Sequence, residues 1–245
     1  MKRCLLAIAL LMAYFHTCAQ TIKPSSDIIV STKTVYLYYQ GQKDSLMFPE
    51  ASAQYPALKV ALSPDNLLQG DKLKDVMANY QKCGCGITGL SYAVGFVNAD
   101  VISIEIYYNR MDDHPTSYGE WLTLDVHTGK PYALDNEINQ SGIDYITARY
   151  KKWLKQNISD EKTLKEDEDA QKDVYDDLAN STDALTPKVI LSEYIFTDKG
   201  VLIKTDAILP QEAQDHEPNR VLLLPYNQLK PYVKTGSMVL KGIHK

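Results

Sequence analysis

The longest regular pattern in the chain is an alternation of apolar and polar positions between residues 101 and 108. The even-numbered positions of this stretch are all apolar or aromatic, namely Ile102, Ile104, Ile106 and Tyr108. A period of two in β-branched and aromatic residues predicts a long strand with one apolar face. A second alternating run covers 121–126, and the Asn, Asp, Pro and Ser residues of 109–117 predict a loop between the two. We therefore expect an antiparallel meander on which the rest of the chain packs.

Similar patterns predict strands and helices on both sides of this meander. The predicted strands cover 28–39, 43–48, 87–97, 190–197, 201–208 and 220–224, and the predicted helices cover 65–81, 143–156, 160–179 and 225–233. Asp65 follows a proline and is the expected N-cap of the first helix, which Gly70 is expected to interrupt. Polar residues at 180–187 predict a loop. The predicted fold class is α+β, an antiparallel β-sheet meander with helices packed mainly on one face.

Residues 1–19 have the features of a secretory signal peptide. Lys2 and Arg3 precede an apolar run at 5–13, and Thr17-Cys18-Ala19 is a small-residue cleavage site. The apolar run is too short to span a membrane as a helix, and the residues before Cys18 fit a lipoprotein site poorly. We expect cleavage after Ala19, no other membrane-spanning run, and a soluble mature protein in the periplasm or outside the cell.

Composition and charge narrow the classes of function. With 44% hydrophobic and 23% charged residues the chain has the composition of a globular protein. The formal net charge of −5 argues against nucleic acid as a partner, because phosphate binding needs clustered Lys and Arg. The chain holds 17 Tyr against 4 Phe and 2 Trp, and tyrosine suits half-buried strands as well as binding surfaces. Nucleotide-binding loops, nucleophile elbows and paired metal motifs are absent, so the sequence predicts neither a cofactor nor a metal.

The order of several short motifs resembles a known family. The motifs are VISIEIYY at 101–108, Asp113-His114-Pro115, LTLDVHTGKPYAL at 122–134, YIFTDKGV at 194–201 and VLLLPY at 221–226. Their succession resembles the extracytoplasmic domain family shared by the RsiV anti-sigma factor and the non-catalytic part of the PdaC deacetylase. The resemblance implies an α+β fold, and in the anti-sigma factor this domain senses lysozyme by binding it. It also implies one domain over 20–245, with 20–97 as a companion N-terminal segment and 98–245 as the core segment.

The loop between the two central strands is the expected contact region, because loops on a rigid sheet commonly carry recognition. Its candidate binding residues are Asp112, Asp113, His114 and Tyr118. His114 would be a hydrogen-bonding or pH-sensitive contact. The competing interpretation is that this histidine only orders an aspartate-rich turn.

Two further features have both a functional and a structural interpretation. Cys83 and Cys85 are expected to form a local disulfide, with intermolecular or free thiols as the alternative and a metal site ranked last. The predicted helix over 160–179 is strongly acidic and could attract a basic partner, although such charge runs are usually solvated helix faces.

These observations favour an exported, non-catalytic binding protein of the cell envelope. Its expected partner is a basic protein such as a lysozyme-like cell-wall hydrolase, or cell-wall glycan. The alternative is an enzyme acting on peptidoglycan or other glycans through a pair of carboxylates that the sequence does not reveal. A third hypothesis is an immunity-type or structural envelope protein.

Overall fold

Two β-sheets with associated helices make up residues 27–164, 172–207 and 218–242, which the computed structural model describes. The strands are β1 (Ile29–Tyr39), β2 (Gln42–Ala51), β3 (Gly86–Val97), β4 (Val101–Met111) and β5 (Pro115–Asp125) in the first sheet, and β6 (Glu193–Phe196), β7 (Gly200–Lys204) and β8 (Leu222–Pro225) in the second. The helices are α1 (Pro56–Ala61), α2 (Pro64–Leu67), α3 (Leu73–Cys83), α4 (Gln140–Leu164), α5 (Lys172–Ala184), α6 (Pro187–Ile190) and α7 (Tyr226–Leu229). The predicted α+β class is confirmed.

The first sheet has the strand order β1-β2-β3-β4-β5. Neighbouring strands are antiparallel except β2 and β3, which pair in parallel at Leu46 and Leu90. The predicted antiparallel meander is present in β4 and β5, and the parallel pair of β2 and β3 is an addition that the sequence did not indicate. Residues 52–85 hold α1 to α3, and this crossover returns the chain to the end of the sheet where β2 began.

The alternation in β4 separates two environments. Ile102, Ile104, Ile106 and Tyr108 are buried in a core that α1 to α3 cover. Val101, on the opposite face, belongs to a second core with the second sheet, α4 and α5. The first sheet is thus covered by helices on one face and, in part, by the second sheet on the other.

The loop predicted for 109–117 is much shorter in the structure. The β4–β5 ladder continues to the pair Met111 and Pro115, so that 112–114 alone form the turn. Met111 also pairs with Gly86 of β3. Backbone pairing on β4 from both sides outweighs the weak strand preference of the Asn and Ser residues in this stretch.

The first predicted helix is interrupted, as expected from Gly70. The chain has positive φ at Gln69 (54°) and Gly70 (96°), a conformation that glycine tolerates. Asp65 does not cap α2, whose N-cap is Ser63. Instead its Oδ1 accepts a hydrogen bond at 3.1 Å from the backbone N–H of Leu73, the first residue of α3. The predicted capping role therefore moves to the next helix.

The later helices have different bounds from those predicted. The helix expected over 143–156 extends to Gln140 and Leu164, and the two ends of the acidic helix expected over 160–179 belong to α4 and α5. Residues 165–171, which include much of its acidic run, lie outside the described residues. Helix α5 continues to Ala184, where a loop was predicted, because Leu178 and Thr182 are buried on the second core. The predicted terminal helix is α7 followed by a 3-10 turn, Lys230–Tyr232.

Buried hydroxyl groups connect the two sheets. Ser103 Oγ lies 2.8 Å from Thr123 Oγ1 and accepts a hydrogen bond from the backbone N–H of Phe196. Thr123 Oγ1 donates to the carbonyl oxygen of Tyr194 at 2.9 Å. Strand β6 is thereby fixed across β4 and β5, which places the end of β7 beside the edge of the first sheet.

Among the described residues, no helix is long and apolar enough to cross a membrane. The predicted signal peptide lies outside the described residues. The division of a single domain into 20–97 and 98–245 stays a prediction, although β3 and β4 pair in one sheet across that boundary.

Candidate functional site

A cleft of about 520 Å³ lies where β5, the edge strand of the first sheet, meets the second sheet. One wall comes from the β5 residues Tyr118, Gly119, Glu120 and Trp121, together with Gln69. The other wall comes from residues in or next to the strands of the second sheet, namely Ser192, Glu193, Lys204, Thr205, Asp206, Ala207 and Arg220. We call this cavity the edge cleft.

Two aromatic side chains of β5 line the edge cleft from opposite faces of the strand. Tyr118 stacks on Tyr108, with 5.1 Å between ring centroids, and its hydroxyl donates to Gln69 Oε1 at 2.7 Å. Trp121 Nε1 donates to Glu105 Oε1 at 2.9 Å. These bonds fix both rings while leaving them partly exposed, with Tyr118 at 36% exposure. Pre-oriented aromatic rings of this kind supply contact area at low entropic cost.

Lys204 is the central cation of the edge cleft. Its Nζ lies 2.6 Å from Glu193 Oε1, donates to the carbonyl oxygen of Gly119 at 2.7 Å, and lies 4.7 Å from the centroid of the Trp121 ring. The lysine therefore bridges the two sheets through an ion pair, a hydrogen bond and a cation–π contact.

A second carboxylate is held on the other face of β5. Glu120 Oε2 lies 3.0 Å from the hydroxyl of Tyr108 and 3.5 Å from Gln69 Nε2. Burial, followed by the nearby Glu120 charge, raises the pKa of Tyr108, so this phenol stays a neutral hydrogen-bond donor.

The charges of the edge cleft are unbalanced. The lining carboxylates are Glu120, Glu193 and Asp206, and the lining cations are Lys204 and Arg220. Glu105, bonded to Trp121, adds a further carboxylate beside the aromatic wall. The excess of carboxylates favours a ligand that carries positive charge.

The glutamates of the edge cleft are held by hydrogen-bond donors. Glu105 accepts from the Trp121 indole, and Glu193 pairs with Lys204. Within the described part of the chain, no group of three or more His, Cys, Asp or Glu side chains is arranged to hold a metal ion.

The structure separates the predicted contact residues into two places. Asp112, Asp113 and His114 form the exposed turn between β4 and β5, and Tyr118 lines the edge cleft. Four residue-to-residue steps of extended strand, about 13 Å in all, separate His114 from Tyr118. Asp112 accepts from Arg110 Nε at 2.6 Å, and this hydrogen bond raises the pKa of the guanidinium group.

Trp121, Glu193 and Lys204 were not predicted from the sequence as site residues. Trp121 was assigned to an ordinary alternating strand, and the two charged residues lie on a hairpin far along the chain. A tryptophan on the polar face of that alternation is the one signal that could have indicated a surface site.

The cysteine pair lies apart from the edge cleft, where α3 ends and β3 begins. The structure joins Cys83 and Cys85 by a disulfide around Gly84, which has the left-handed conformation that ends α3. The oxidised state of this pair in the purified protein stays a prediction.

The fold and the cleft together define an α+β protein with an open, acidic and aromatic cavity at a sheet edge. Two solved structures are similar to it. One is a DUF3298 family member from Bacteroides fragilis NCTC 9343, with 12% identity and a TM-score of 0.48, covering 87% of this chain and 95% of that chain. The other is a DUF3298 family protein from Pseudomonas aeruginosa PAO1, with 15% identity and a TM-score of 0.48, covering 86% of this chain and 97% of that chain. No protein-family model and no curated protein matches the sequence. No residue role is transferred from these neighbours, and the resemblance to the RsiV-type family stays a prediction.

Proposed function

We propose that the protein is an exported, non-catalytic binding protein of the cell envelope and that the edge cleft binds a basic partner protein. The proposed partner class is a lysozyme-like cell-wall hydrolase. The observation that carries the proposal is the composition of the edge cleft, in which oriented aromatic rings stand beside an excess of carboxylates. The motif resemblance to a lysozyme-sensing family supports the choice of partner class.

The edge cleft has the features of a protein-binding site. Aromatic anchors at the centre of an interface, surrounded by polar groups, commonly carry most of the binding energy. Trp121 and Tyr118 are such anchors, and Glu120 and Glu193 are charges that select a basic partner.

The test is surface plasmon resonance with residues 20–245 against a basic lysozyme and against an unrelated basic protein of similar charge. We expect measurable affinity for lysozyme and at least tenfold weaker binding to the other protein. Trp121→Ala should weaken lysozyme binding at least tenfold, the effect of an anchor residue. Equal weak binding to both proteins would show that charge alone is acting, and the proposal would be dropped.

Tyr38→Ala is the matched control. Tyr38 lies on β1, at the other edge of the first sheet, and is 60% exposed. Loss of this ring should leave lysozyme binding within twofold of the unchanged protein. His114→Ala tests the hairpin turn separately, and a tenfold loss there with no loss in Trp121→Ala would move the binding site from the edge cleft to the turn.

The competing function is glycan hydrolysis, because Glu120 and Glu193 line the same cavity. A pair of carboxylates on two sides of a cleft is the usual glycosidase arrangement. Incubation of purified peptidoglycan with the mature protein tests it. Release of sugar fragments that both Glu120→Gln and Glu193→Gln abolish would replace the binding function with an enzymatic one.

A further inference from the structure

The outer edge of β5 between Ser117 and Trp121 is not covered by another strand of the described structure. β5 is the last strand of the first sheet. Further along, the same edge is covered by the segment 130–132. The backbone N–H of Asp125 donates to the carbonyl oxygen of Lys130 at 2.9 Å, and the backbone N–H of Tyr132 donates to the carbonyl oxygen of Thr123 at 2.8 Å. The covered part ends where the edge cleft begins.

The direction of the backbone groups in β5 follows from these bonds. Peptide groups of residues 123 and 125 point away from β4, whereas Val126 N–H donates to Asp100, on the β4 side. In an extended strand this direction repeats every second residue, so the N–H and C=O groups of residues 117, 119 and 121 point outward. The hydrogen bond from Lys204 Nζ to the carbonyl oxygen of Gly119 agrees with this direction.

The outward edge opens into the edge cleft, which supplies room and charge. Gly119 and Trp121 line the cavity, and gaining a strand at this edge requires no movement of β4. Carboxylates lie on both faces of β5, with Glu105 against Trp121 on one face and Glu120 beside Tyr118 on the other. An added strand that carries basic side chains would therefore meet a carboxylate on either face.

We propose that the edge of β5 from Ser117 to Trp121 binds an extended segment of a partner protein as an added strand, and that this segment carries Lys or Arg. The proposal rests on the proposed binding function and specifies its mode. Backbone hydrogen bonds supply affinity in such strand addition, and alternate side chains supply specificity. A segment of about five residues, roughly 17 Å long, would cover the free edge.

Lys204 has a defined part in this binding mode. In the unbound protein it occupies the Gly119 carbonyl oxygen and so protects the sheet edge, a common use of lysine at exposed edges. An N–H of the added strand replaces it at that carbonyl oxygen, while the ion pair with Glu193 keeps the lysine charge compensated. If edge protection were the whole role of Lys204, basic extended peptides would leave the outward amides of β5 unchanged.

The experiment measures amide hydrogen exchange by NMR in the ¹⁵N-labelled mature protein, with a capped nine-residue peptide of alternating Lys and Thr as the probe. We expect the amides of Gly119 and Trp121 to exchange at least tenfold more slowly when the peptide is bound. The amides of Tyr118 and Glu120, which face β4, are internal controls and should change by less than twofold. A peptide with Glu in place of Lys should produce no protection.

The outcomes separate this proposal from the proposed function. Peptide binding without protection of Gly119 and Trp121, or no binding of the Lys–Thr peptide, would overturn strand addition. Lysozyme binding that persists in either case would leave the proposed function standing. Protection by the peptide together with an absence of lysozyme binding would support the strand site and reject the proposed partner class.

Discussion

Glu137 is a fully buried carboxylate that fixes the last described segment of the chain to the second core. It accepts hydrogen bonds from the Tyr132 hydroxyl at 2.5 Å, from the Ser237 hydroxyl, and from the backbone N–H groups of Met238 at 2.9 Å and Leu240 at 2.7 Å. A buried carboxylate needs hydrogen-bond donors in place of its water, and here all but the Tyr132 hydroxyl come from a single loop at 237–240. The sequence offers no signal for this, since the loop donors lie about one hundred residues away.

We expect Glu137→Ala to lower the free energy of unfolding by about 3–5 kcal/mol, because the substitution leaves several buried donors without an acceptor. Glu137→Gln keeps one acceptor oxygen and should lose less. Urea unfolding monitored by circular dichroism at pH 7 measures both variants. A loss below about 1 kcal/mol in the alanine variant would show that the loop reorganises and that Glu137 does not anchor it.

Asp125 makes stability depend on pH through the turn that follows β5. Burial alone would raise its pKa, but hydrogen bonds from Thr128 and His127 outweigh burial and lower the pKa below the usual 3.8. A lowered folded-state pKa gives stability that is present above the unfolded value and is lost as pH falls through the folded value. Asp125→Asn should therefore cost about 1 kcal/mol at pH 7, and the cost should shrink below about pH 4. Unfolding curves of the unchanged protein and of Asp125→Asn measure this cost at pH 7 and at pH 3. The same cost at both pH values would contradict the prediction.

At the scale of elements, the sequence predicted the presence of strands better than it predicted where the strands end and which strands pair. The alternation in β4 identified its two faces because each face meets a different core. The loop between β4 and β5 was predicted too long, as 109–117, because cross-strand pairing keeps polar residues on both sides of 112–114 in the strands. The parallel pairing of β2 with β3 depends on the path of three intervening helices, which residue patterns do not specify.

The contact between the sheets also depends on pairs that no local pattern shows. Thr123 is buried and donates to the Tyr194 carbonyl oxygen. Thr123→Val keeps the side-chain shape but removes the donor to that carbonyl group and the partner of the Ser103 O–H, so we expect a loss of about 1–3 kcal/mol in unfolding free energy. Thr116→Val, at an exposed position of the same strand, is the control and should change stability by less than about 0.5 kcal/mol. Equal effects in urea unfolding would assign the loss to strand propensity instead of the sheet contact.

At the scale of the whole molecule, the edge cleft exists only because two distant parts of the chain meet. Tyr118 was predicted as a contact residue from its loop, and it does line the cleft. Lys204 and Glu193 reach the same cavity through the second sheet, whose position is set by Ser103 and Thr123. Sequence reasoning could propose residues on β5, but it could not supply the opposite wall.

The net charge of the mature protein leads to a kinetic prediction. Removing Lys2 and Arg3 with the predicted leader changes the formal charge from −5 to −7. If the proposed partner, a basic lysozyme, binds, opposite charges would steer the encounter, and the association rate should fall roughly tenfold between about 50 and 300 mM salt, as screening shortens the range of attraction. The dissociation rate should change less than about twofold, because packed contacts at Trp121 and Tyr118 determine it. Surface plasmon resonance at several salt concentrations measures both rates.

Two variants separate packing from charge. Trp121→Ala should raise the dissociation rate and leave the salt dependence of association unchanged. Glu120→Gln should weaken the salt dependence of association and leave the dissociation rate unchanged. A dissociation rate that follows salt as steeply as the association rate would mean that no packed contact forms in the edge cleft.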